Sequence, residues 1–300
     1  MADTAPPRLS PEELVSDLVE LLNIQPAGQD ERGEHFTGRR KKGGVGRVFG
    51  GQVIAQALGA AEHTVEDDRQ AHSLHAYFLR GGSEDHEIDF RVRRDFDGGS
   101  FSNRRVVASQ QGRPILSLTA SFQRQQEGLT HQTPQMPDVP APETLEPDEA
   151  RRMRLAEHLK GRVRQFALLQ WPIETRSVGE PQWLAAGPKE PISHAWFRAA
   201  AALPDDERIH RAVLAYASDM QLLGTATLPH GKSMWRGELK LASLDHAIWF
   251  HAPFRADEWL LYATQSPWSG GARGFAQGQI FNQDGRLVAS VAQEGMMREA

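Results

Sequence analysis

The sequence predicts an α+β fold in which one unit, a mainly antiparallel sheet wrapped around a long central helix, occurs twice in tandem. Strand-like alternating runs outnumber helical runs and are joined by tight turns, which favours antiparallel sheets packed on helices. The same order of elements also recurs in the two halves, so that residues 75–78 (His-Ala-Tyr-Phe) align with residues 246–249 (His-Ala-Ile-Trp). Several elements in one order at one spacing indicate a duplication.

A short helix is predicted at the start of the chain. Ser10 can cap it, Pro11 suits its first turn, and Glu13 completes a capping box. Apolar residues then follow at helical spacing, namely Leu14, Leu18 and Leu21.

The first unit is predicted to occupy residues 10–126. Its long helix is expected over GGQVIAQALGAA (50–61), followed by strands over HSLHAYFLR (72–80) and IDFRVR (88–93). Residues 100–124 alternate in character on both sides of Gln111-Gly112, which predicts a hairpin that turns at this dipeptide.

A linker and a helix are predicted over residues 127–162. The linker is acidic and rich in proline, and a helical pattern follows near residues 148–160. The prolines are Pro134, Pro137, Pro140, Pro142 and Pro147.

The second unit is predicted to occupy residues 163–300. FALLQWPIE (166–174) is expected to be its first strand, and HRAVLAYASDMQLLG (210–224) its long helix. Strands are expected within 241–251 and 258–265, and a final hairpin within 270–298 should turn at Asp284-Gly285, the counterpart of Gln111-Gly112.

Composition excludes several classes of protein. The formal net charge of −5 and the pI near 6.2 argue against nucleic acid as a main partner, because neutralising phosphates needs a basic surface. No apolar run approaches the length of a membrane span, and the N-terminus lacks the apolar core of a signal peptide. The absence of cysteine and of a C-terminal peroxisomal tripeptide predicts a cytoplasmic protein.

Three motif-like patterns are interpreted as structural. Residues 226–233 satisfy a loose phosphate-loop pattern, but a helix precedes them, Pro229 interrupts them and a strand follows. The basic run Arg39–Lys42 is interpreted as a solvated loop, with contact to a phosphate of a nucleotide-like ligand as the alternative. Asp205 and His210 have the spacing of an acid–base pair, but Asp205 lies in a polar lead-in to a helix and is expected to cap it.

His246 follows Asp245 and suggests a catalytic dyad. Neighbouring residues on a strand point to opposite faces of a sheet, which argues against the pair acting together. His75 aligns with His246 in the other half, so a structural role for both is expected.

Polar residues at apolar positions provide the functional signal. Gln293 shares the buried face of the last strand, where the first unit has Ala120. A buried amide needs partners, so Gln293 either faces a ligand or is a fully bonded structural glutamine.

Asp219 ends an apolar helix, where burial would raise its pKa toward the range of a general base. The alternative is that Asp219 only caps the turn beside the helix end. Ser243, on the next strand, is a further candidate.

The chain resembles the acyl-CoA thioesterase II family, the double hot-dog thioesterases, over nearly its whole length. The motifs that carry this resemblance in the first half are RVFGGQ (47–52), HSLHAYFLR (72–80), SFSNRRV (100–106) and TASFQ (119–123). In the second half they are ASD (217–219), SLDH (243–246), WFH (249–251), EWLLY (258–262), ARG (272–274) and VAQEGMMR (291–298).

The resemblance implies two tandem hot-dog folds that hydrolyse fatty acyl-CoA to free acid and CoA, without a cofactor or a metal. The family's catalytic aspartate, hydroxyl residue and glutamine fall on Asp219, Ser243 and Gln293, which would hold and activate one water. An apolar tunnel is expected for the acyl chain, and homodimers or homotetramers are expected in solution. The basic run at Arg39–Lys42 departs from the family pattern.

Two alternative functions remain open on the sequence alone. One is a hot-dog enoyl-CoA hydratase, which would depend on Asp205 and His210. The other is a protein that binds acyl-CoA without cleaving it.

Overall fold

The computed structural model describes residues 8–41 and 46–300, with all their side chains except that of Arg162. Lys42, the last residue of the basic run, therefore lies outside the described residues. In the first half the elements are α1 (Pro11–Leu22), β1 (Gln25–Asp30), β2 (Gly33–Gly38), α2 (Gly50–Glu62), β3 (Arg69–Phe78), β4 (Ile88–Asp97), β5 (Phe101–Gln110) and β6 (Arg113–Arg124). They continue with α3 (Asp148–Ala156), α4 (Gly161–Ala167), β7 (Ile173–Ser177), β8 (Ile192–Ala199), α5 (Glu207–Ser218), β9 (Leu239–Ser243), β10 (Asp245–Phe250), β11 (Leu260–Gly270), β12 (Arg273–Asn282) and β13 (Leu287–Glu299).

One antiparallel sheet runs through both halves of the chain. The first half contributes strands in the order β2-β4-β5-β6-β3 and the second half in the order β8-β11-β12-β13-β10. These two orders are equivalent element by element, and the halves join where β3 pairs with β10. The predicted α+β architecture with a duplicated unit is therefore confirmed.

The two long helices pack against each other in antiparallel orientation. At one end of the pair, a Cβ atom on Gly51 would lie 2.3 Å from the carbonyl oxygen of Tyr216. At the other end, Glu62 forms a buried ion pair with Arg211. The close backbone contact at Gly51 brings the start of α2 directly against the end of α5, and this junction positions the candidate site.

The predicted start of the chain and both predicted hairpins are confirmed. Ser10 accepts a hydrogen bond from the Glu13 N–H at 3.2 Å, and the Glu13 carboxylate accepts one from the Ser10 N–H at 2.7 Å. Gln111 and Gly112 have φ angles of 50° and 70°, as required by the tight turn between β5 and β6. Gly285, in the equivalent turn between β12 and β13, has a φ of 78°.

The predicted first strand of the second unit is wrong. Residues 161–167 form helix α4, and the strand that follows the linker, β7, begins only at Ile173. The aromatic ring of Phe166 packs edge-on against the rings of Trp171 and Trp235. A short apolar run has no decisive periodicity of its own, and here tertiary contacts of aromatic side chains select the helix.

The predicted long helix of the second unit is shorter than expected. α5 ends at Ser218, and a 3-10 helix spans Leu223–His230. Most of the phosphate-loop-like stretch 226–233 falls in this 3-10 helix, and the next regular element is strand β9. Its interpretation as a coincidence is confirmed, because no helix N-terminus follows it to face a phosphate.

Candidate active site

Asp219 lies at the junction of the two long helices. It is the C-cap of α5, and its side chain is only 5% exposed. Its Oδ2 lies so close to the first residue of α2 that a Cβ on Gly50 would come within 2.6 Å of it. The free N–H groups and the positive end of the dipole of α2 therefore face this carboxylate.

Gln293 and Ser243 converge on the same carboxylate. The Nε2 of Gln293, on β13, donates a hydrogen bond to Asp219 Oδ1 at 2.6 Å. The Oγ of Ser243, on β9, donates a longer one to the same oxygen at 3.4 Å. β9 pairs with β13 so that Ser243 lies opposite Gly295, two residues beyond Gln293. The three residues that the sequence singled out thus meet at one atom.

Burial sets the ionisation of Asp219. Loss of solvent raises its pKa to about 6, although the hydrogen bond from Gln293, the nearby N–H of Gly51 and the Ser243 hydroxyl all lower it. At neutral pH the group is therefore largely ionised, yet it is far more basic than an exposed aspartate. This combination suits a general base.

Gln293 is only half satisfied by the protein. Its side chain is fully buried, and its Oε1 has no hydrogen-bond partner among the described residues. A structural glutamine would be expected to have both ends of its amide bonded. A buried carbonyl oxygen left open beside Asp219 can accept a hydrogen bond from a water or a substrate group.

Several apolar side chains line the space around Asp219. Phe78 lies next to Gly50, and Phe49 stacks edge-on against Tyr216 with ring centroids 5.0 Å apart. Leu223 packs onto Gly295, where a Cβ would come within 2.3 Å of it. Such surroundings strengthen electrostatic interactions at the carboxylate because they exclude water.

His246 lies closer to the candidate site than its alignment with His75 predicted. Its side chain is fully buried, its Nε2 lies 2.9 Å from Ser218 Oγ, and its Nδ1 lies 3.9 Å from Asp219 Oδ1. His75, by contrast, is exposed on the outer face, with its ring 5.0 Å from that of Trp249. The expected equivalence of the two histidines is therefore wrong by one residue, which on a strand reverses the face.

The sheet register identifies the true counterpart of His246. Leu74 is fully buried and pairs with Ala120 in the first half, while the register of β10 and β13 places His246 beside Gln293 in the second. The apolar pair Leu74 and Ala120 is thus replaced by two polar side chains. Comparing inward-facing positions, instead of identical letters, would have revealed His246 from the sequence.

The remaining acid–base candidates from the sequence have other partners. Asp245 points away from His246 and accepts a hydrogen bond from the Glu294 N–H at 2.6 Å, so no dyad forms. Asp205 is exposed and bonds to Arg255 at 2.8 Å, and the expected helix cap is instead Asp206. His210 accepts a hydrogen bond from the Ala256 N–H at 2.9 Å.

Asp205 and His210 therefore form no acid–base pair. Both belong to the start of α5, whereas Asp219 marks its end. The alternative function, an enoyl-CoA hydratase that depends on these two residues, has no structural support at this position.

The described part of the basic run has local partners. Arg39 forms an ion pair with Glu20, Arg40 bonds to the Asp85 carbonyl at 3.1 Å, and the Lys41 ammonium lies 5.3 Å from the ring centroid of Trp171. Within residues 8–41 and 46–300, no three His, Asp or Glu side chains are arranged to hold a metal. No helix in this part of the chain is both long and apolar enough to cross a membrane.

Comparison with known proteins assigns the family. Residues 165–296 match a family model described as acyl-CoA thioesterase, and residues 39–123 match one described as acyl-CoA thioesterase N-terminal domain. Human acyl-coenzyme A thioesterase 8 is 40% identical over 287 residues, which cover 93% of this chain and 88% of that protein. Acyl-CoA thioesterase 2 of Haemophilus influenzae is 37% identical over 289 residues, covering 95% of this chain and 98% of that protein.

Solved structures support the same assignment. The acyl-CoA thioesterase II TesB2 of Mycobacterium marinum is 39% identical, with a TM-score of 0.74 over 95% of this chain and 97% of that chain. A protein with a hot-dog fold from Alicyclobacillus acidocaldarius has a TM-score of 0.73 at 18% identity, over 93% of this chain and 97% of that chain. Each copy of the duplicated unit is therefore a hot-dog fold, and the chain carries two of them in tandem.

Proposed function

The chain belongs to the acyl-CoA thioesterase family and is a thioester hydrolase, and we propose that it hydrolyses fatty acyl-CoA with a water activated by Asp219, Ser243 and Gln293. The observation that carries this proposal is the meeting of a buried carboxylate, a hydroxyl and a carboxamide at one atom, with hydrogen bonds of 2.6 and 3.4 Å. The open Oε1 of Gln293 supplies an acceptor for the water at the same place.

In the proposed reaction, water attacks the thioester directly. Asp219 takes one proton from the water as its oxygen bonds to the carbonyl carbon, and negative charge develops on the carbonyl oxygen. The carbon–sulfur bond then breaks, and the CoA sulfur leaves as a thiol with the proton that Asp219 held. A well-placed general base typically contributes about 10²–10⁴-fold to the rate.

Ser243 and Gln293 are proposed to orient the water. Both already donate to Asp219, and both can share their hydrogens with the water and with developing charge. Because these donors are fixed by strands β9 and β13, little reorganisation is needed during the reaction.

The acyl chain is proposed to occupy the apolar space beside Asp219. Phe49, Phe78 and Leu223 supply walls there, and fixed hydrocarbon contacts suit a fatty acyl group. Neither of two surface cavities, one lined by Lys232 and Arg273 and the other by Arg151 and Arg154, is lined by any of the three site residues. The apolar tunnel expected from the sequence stays a prediction.

Thiol release tests the proposal directly. Asp219→Asn should reduce the turnover of palmitoyl-CoA by at least about 10²-fold, because the base is lost. The matched control is Asp205→Asn, which changes an exposed carboxylate at the other end of α5 and should keep parental turnover. Turnover of Asp219→Asn within threefold of the parent would remove the base assignment.

Assembly and compartment also remain proposals. We expect dimers or tetramers, since large side chains such as Tyr77 and Trp249 are exposed on the outer face of the sheet at 63% and 36%. Light scattering at micromolar concentration measures the assembly. The cysteine-free composition fits a cytoplasmic location.

A further inference from the structure

His246 is a buried titratable group beside the site that the hydrolysis scheme does not use. It projects inward from β10, and the register that pairs Ala247 with Ala292 places it next to Gln293. Its Nδ1 is buried and has no hydrogen-bond partner among the described residues. That unpartnered nitrogen faces Asp219 Oδ1 at 3.9 Å.

One tautomer of His246 satisfies both hydrogen bonds of the Ser218 hydroxyl. Ser218 Oγ lies 3.0 Å from the Ala215 carbonyl oxygen, which can only accept, so the serine hydroxyl hydrogen is used there. With the serine hydroxyl donating to that carbonyl, Ser218 Oγ accepts from His246 Nε2 at 2.9 Å, which assigns the hydrogen to Nε2. Nδ1 consequently presents a lone pair to Asp219.

This lone pair affects the two forms of Asp219 in opposite ways. It repels the ionised carboxylate, and it can accept a hydrogen bond from the protonated carboxyl group. Burial holds the imidazole neutral, since it lowers the pKa of His246 to about 3. His246 thus acts as an acceptor and not as a second base.

We propose that His246 is a positioning residue for the reaction, whose Nδ1 accepts a hydrogen bond from Asp219 once Asp219 has taken a proton from water. This inference rests on the proposed function. The bond requires the 3.9 Å separation to close by about 1 Å, within reach of a small side-chain rotation. No proton leaves Asp219 in this step, so the same proton later goes to the departing CoA sulfur.

Few other groups can produce a pH effect here. Tyr262 of β11 donates to the Ser218 carbonyl at 3.0 Å, and burial raises its pKa well above its usual value, so it stays neutral. β13 and β9 contribute the neutral Gln293 and Ser243, and α2 contributes glycine backbone. Asp219 is therefore the group whose titration His246 influences.

Two amide variants separate the two ends of the imidazole. His246→Gln reaches toward Ser218 with its carboxamide and has no atom at the position of Nδ1, so the acceptor facing Asp219 is lost. His246→Asn places its carbonyl oxygen near the position of Nδ1 and cannot reach Ser218. The measurement is the pH profile of kcat for thiol release, together with thermal melting to confirm that each variant is folded.

The proposal predicts a difference between the two variants. His246→Gln should lower kcat about three- to tenfold and move the acid limb of the profile to lower pH by up to about one unit, because the carboxylate is no longer opposed by a lone pair. His246→Asn should keep the acid limb within about 0.3 unit of the parent.

Failure of this inference is distinguishable from failure of the proposed function. An unchanged acid limb in folded His246→Gln, with Asp219→Asn inactive, overturns the role of His246 alone. An active Asp219→Asn overturns both. Equal decreases of kcat in both amide variants, with the acid limb of the profile unmoved, also overturn the role of His246, because they indicate a purely structural histidine.

Discussion

At the scale of single residues, the position of the Asp219 carboxylate depends on two glycines that leave room for it. Gly50 and Gly51 open helix α2, and the absence of Cβ atoms allows Asp219 and the end of α5 to approach its free N–H groups. Gly50 needs no unusual backbone angle, since its φ is not positive. The requirement at Gly50 is therefore one of space.

Gly50→Ala should inactivate the enzyme without unfolding it. The new Cβ would lie 2.6 Å from Asp219 Oδ2 and 3.0 Å from the Phe78 ring, so the carboxylate must move away. Thiol release should fall at least about tenfold, while the greater helix propensity of alanine, about 1 kcal/mol, offsets part of the strain. Gly59→Ala is the matched control in the same helix, because its nearest atoms are 3.8 Å away. Equal activity in the two variants would contradict this account.

The activity should depend on pH through Asp219. Since burial raises the pKa of this base to about 6, kcat should fall about tenfold for each pH unit below 6 and level off above it. The profile of thiol release between pH 4.5 and 8 measures this. Asp205→Asn should give the same profile, and an acid limb near pH 4 would show that Asp219 is not desolvated as described.

The same pKa shift predicts a cost in stability. The pKa of Asp219 is about 6 in the folded protein against 3.8 for an ordinary aspartate, so its stabilising contribution is present below about pH 4 and is lost as the pH rises through 6. Asp219→Asn has no carboxyl group here and does not lose stability in this way. The free energy of unfolding of the variant minus that of the parent should therefore increase by roughly 1–3 kcal/mol between pH 5 and pH 8. Urea denaturation at the two pH values is the measurement, and a difference that is constant with pH would contradict the shift.

At the scale of elements, the antiparallel helix pair has two unlike ends. Asp219 lies where α5 ends and α2 begins, with Gln293 and His246 on the adjacent strands. At the opposite end the junction contains Glu62 and Arg211, whose Oε1 and Nε atoms are 3.0 Å apart in a buried ion pair. One junction of the pair thus holds the candidate site, and the other holds a buried ion pair.

Removing the cation of this ion pair should destabilise the protein and spare the site. Arg211→Met leaves the Glu62 carboxylate buried alone, which typically costs about 3–5 kcal/mol. Burial already raises the pKa of Glu62 to about 6, so the loss should be large at pH 8 and smaller at pH 5, where the carboxyl is protonated. Denaturant unfolding measures both values, with turnover per folded molecule expected near that of the parent.

The double variant Glu62→Gln with Arg211→Met serves as the control for that experiment. It removes both charges and should recover most of the stability at pH 8. If the single and double variants are equally unstable, lost packing and not the unpaired charge is responsible.

At the scale of the whole molecule, one sheet and one helix pair make the two halves interdependent. β3 and β10 would become open edges if the halves separated, and Asp219 would lose the N-terminus of α2. The linker packs onto the second half, where the Trp196 Nε1 donates to the Pro140 carbonyl at 3.0 Å. The division into residues 10–126, 127–162 and 163–300 stays a prediction.

Cutting the chain near Leu129 should therefore leave an active complex. Leu129 is fully exposed at the start of the linker, so a protease site inserted there disturbs no packing. After cleavage, both fragments should elute together in gel filtration and retain most of the parental turnover. Residues 130–300 expressed alone should release no thiol, since Gly50 and Gly51 are missing. An active isolated fragment would show that the first half is not part of the site.

The sequence by itself determined the repeated architecture and most of the candidate site. Periodicity and turn residues predicted α1, the long helices and both hairpins, since these features depend on neighbours in the chain. Asp219 and Gln293 were predicted because a polar residue in an apolar pattern is visible in the pattern itself.

Tertiary structure alone decided where those side chains meet and which others join them. Helix α4 replaced a predicted strand because its one aromatic side chain, Phe166, packs against the rings of Trp171 and of the distant Trp235. His246 was paired with the wrong residue of the first half because a one-residue shift between the halves reverses the face of a strand, and the register of β3, β10 and β13 establishes that shift. The raised pKa of Asp219 likewise depends on burial by elements far apart in the chain, which no local pattern records.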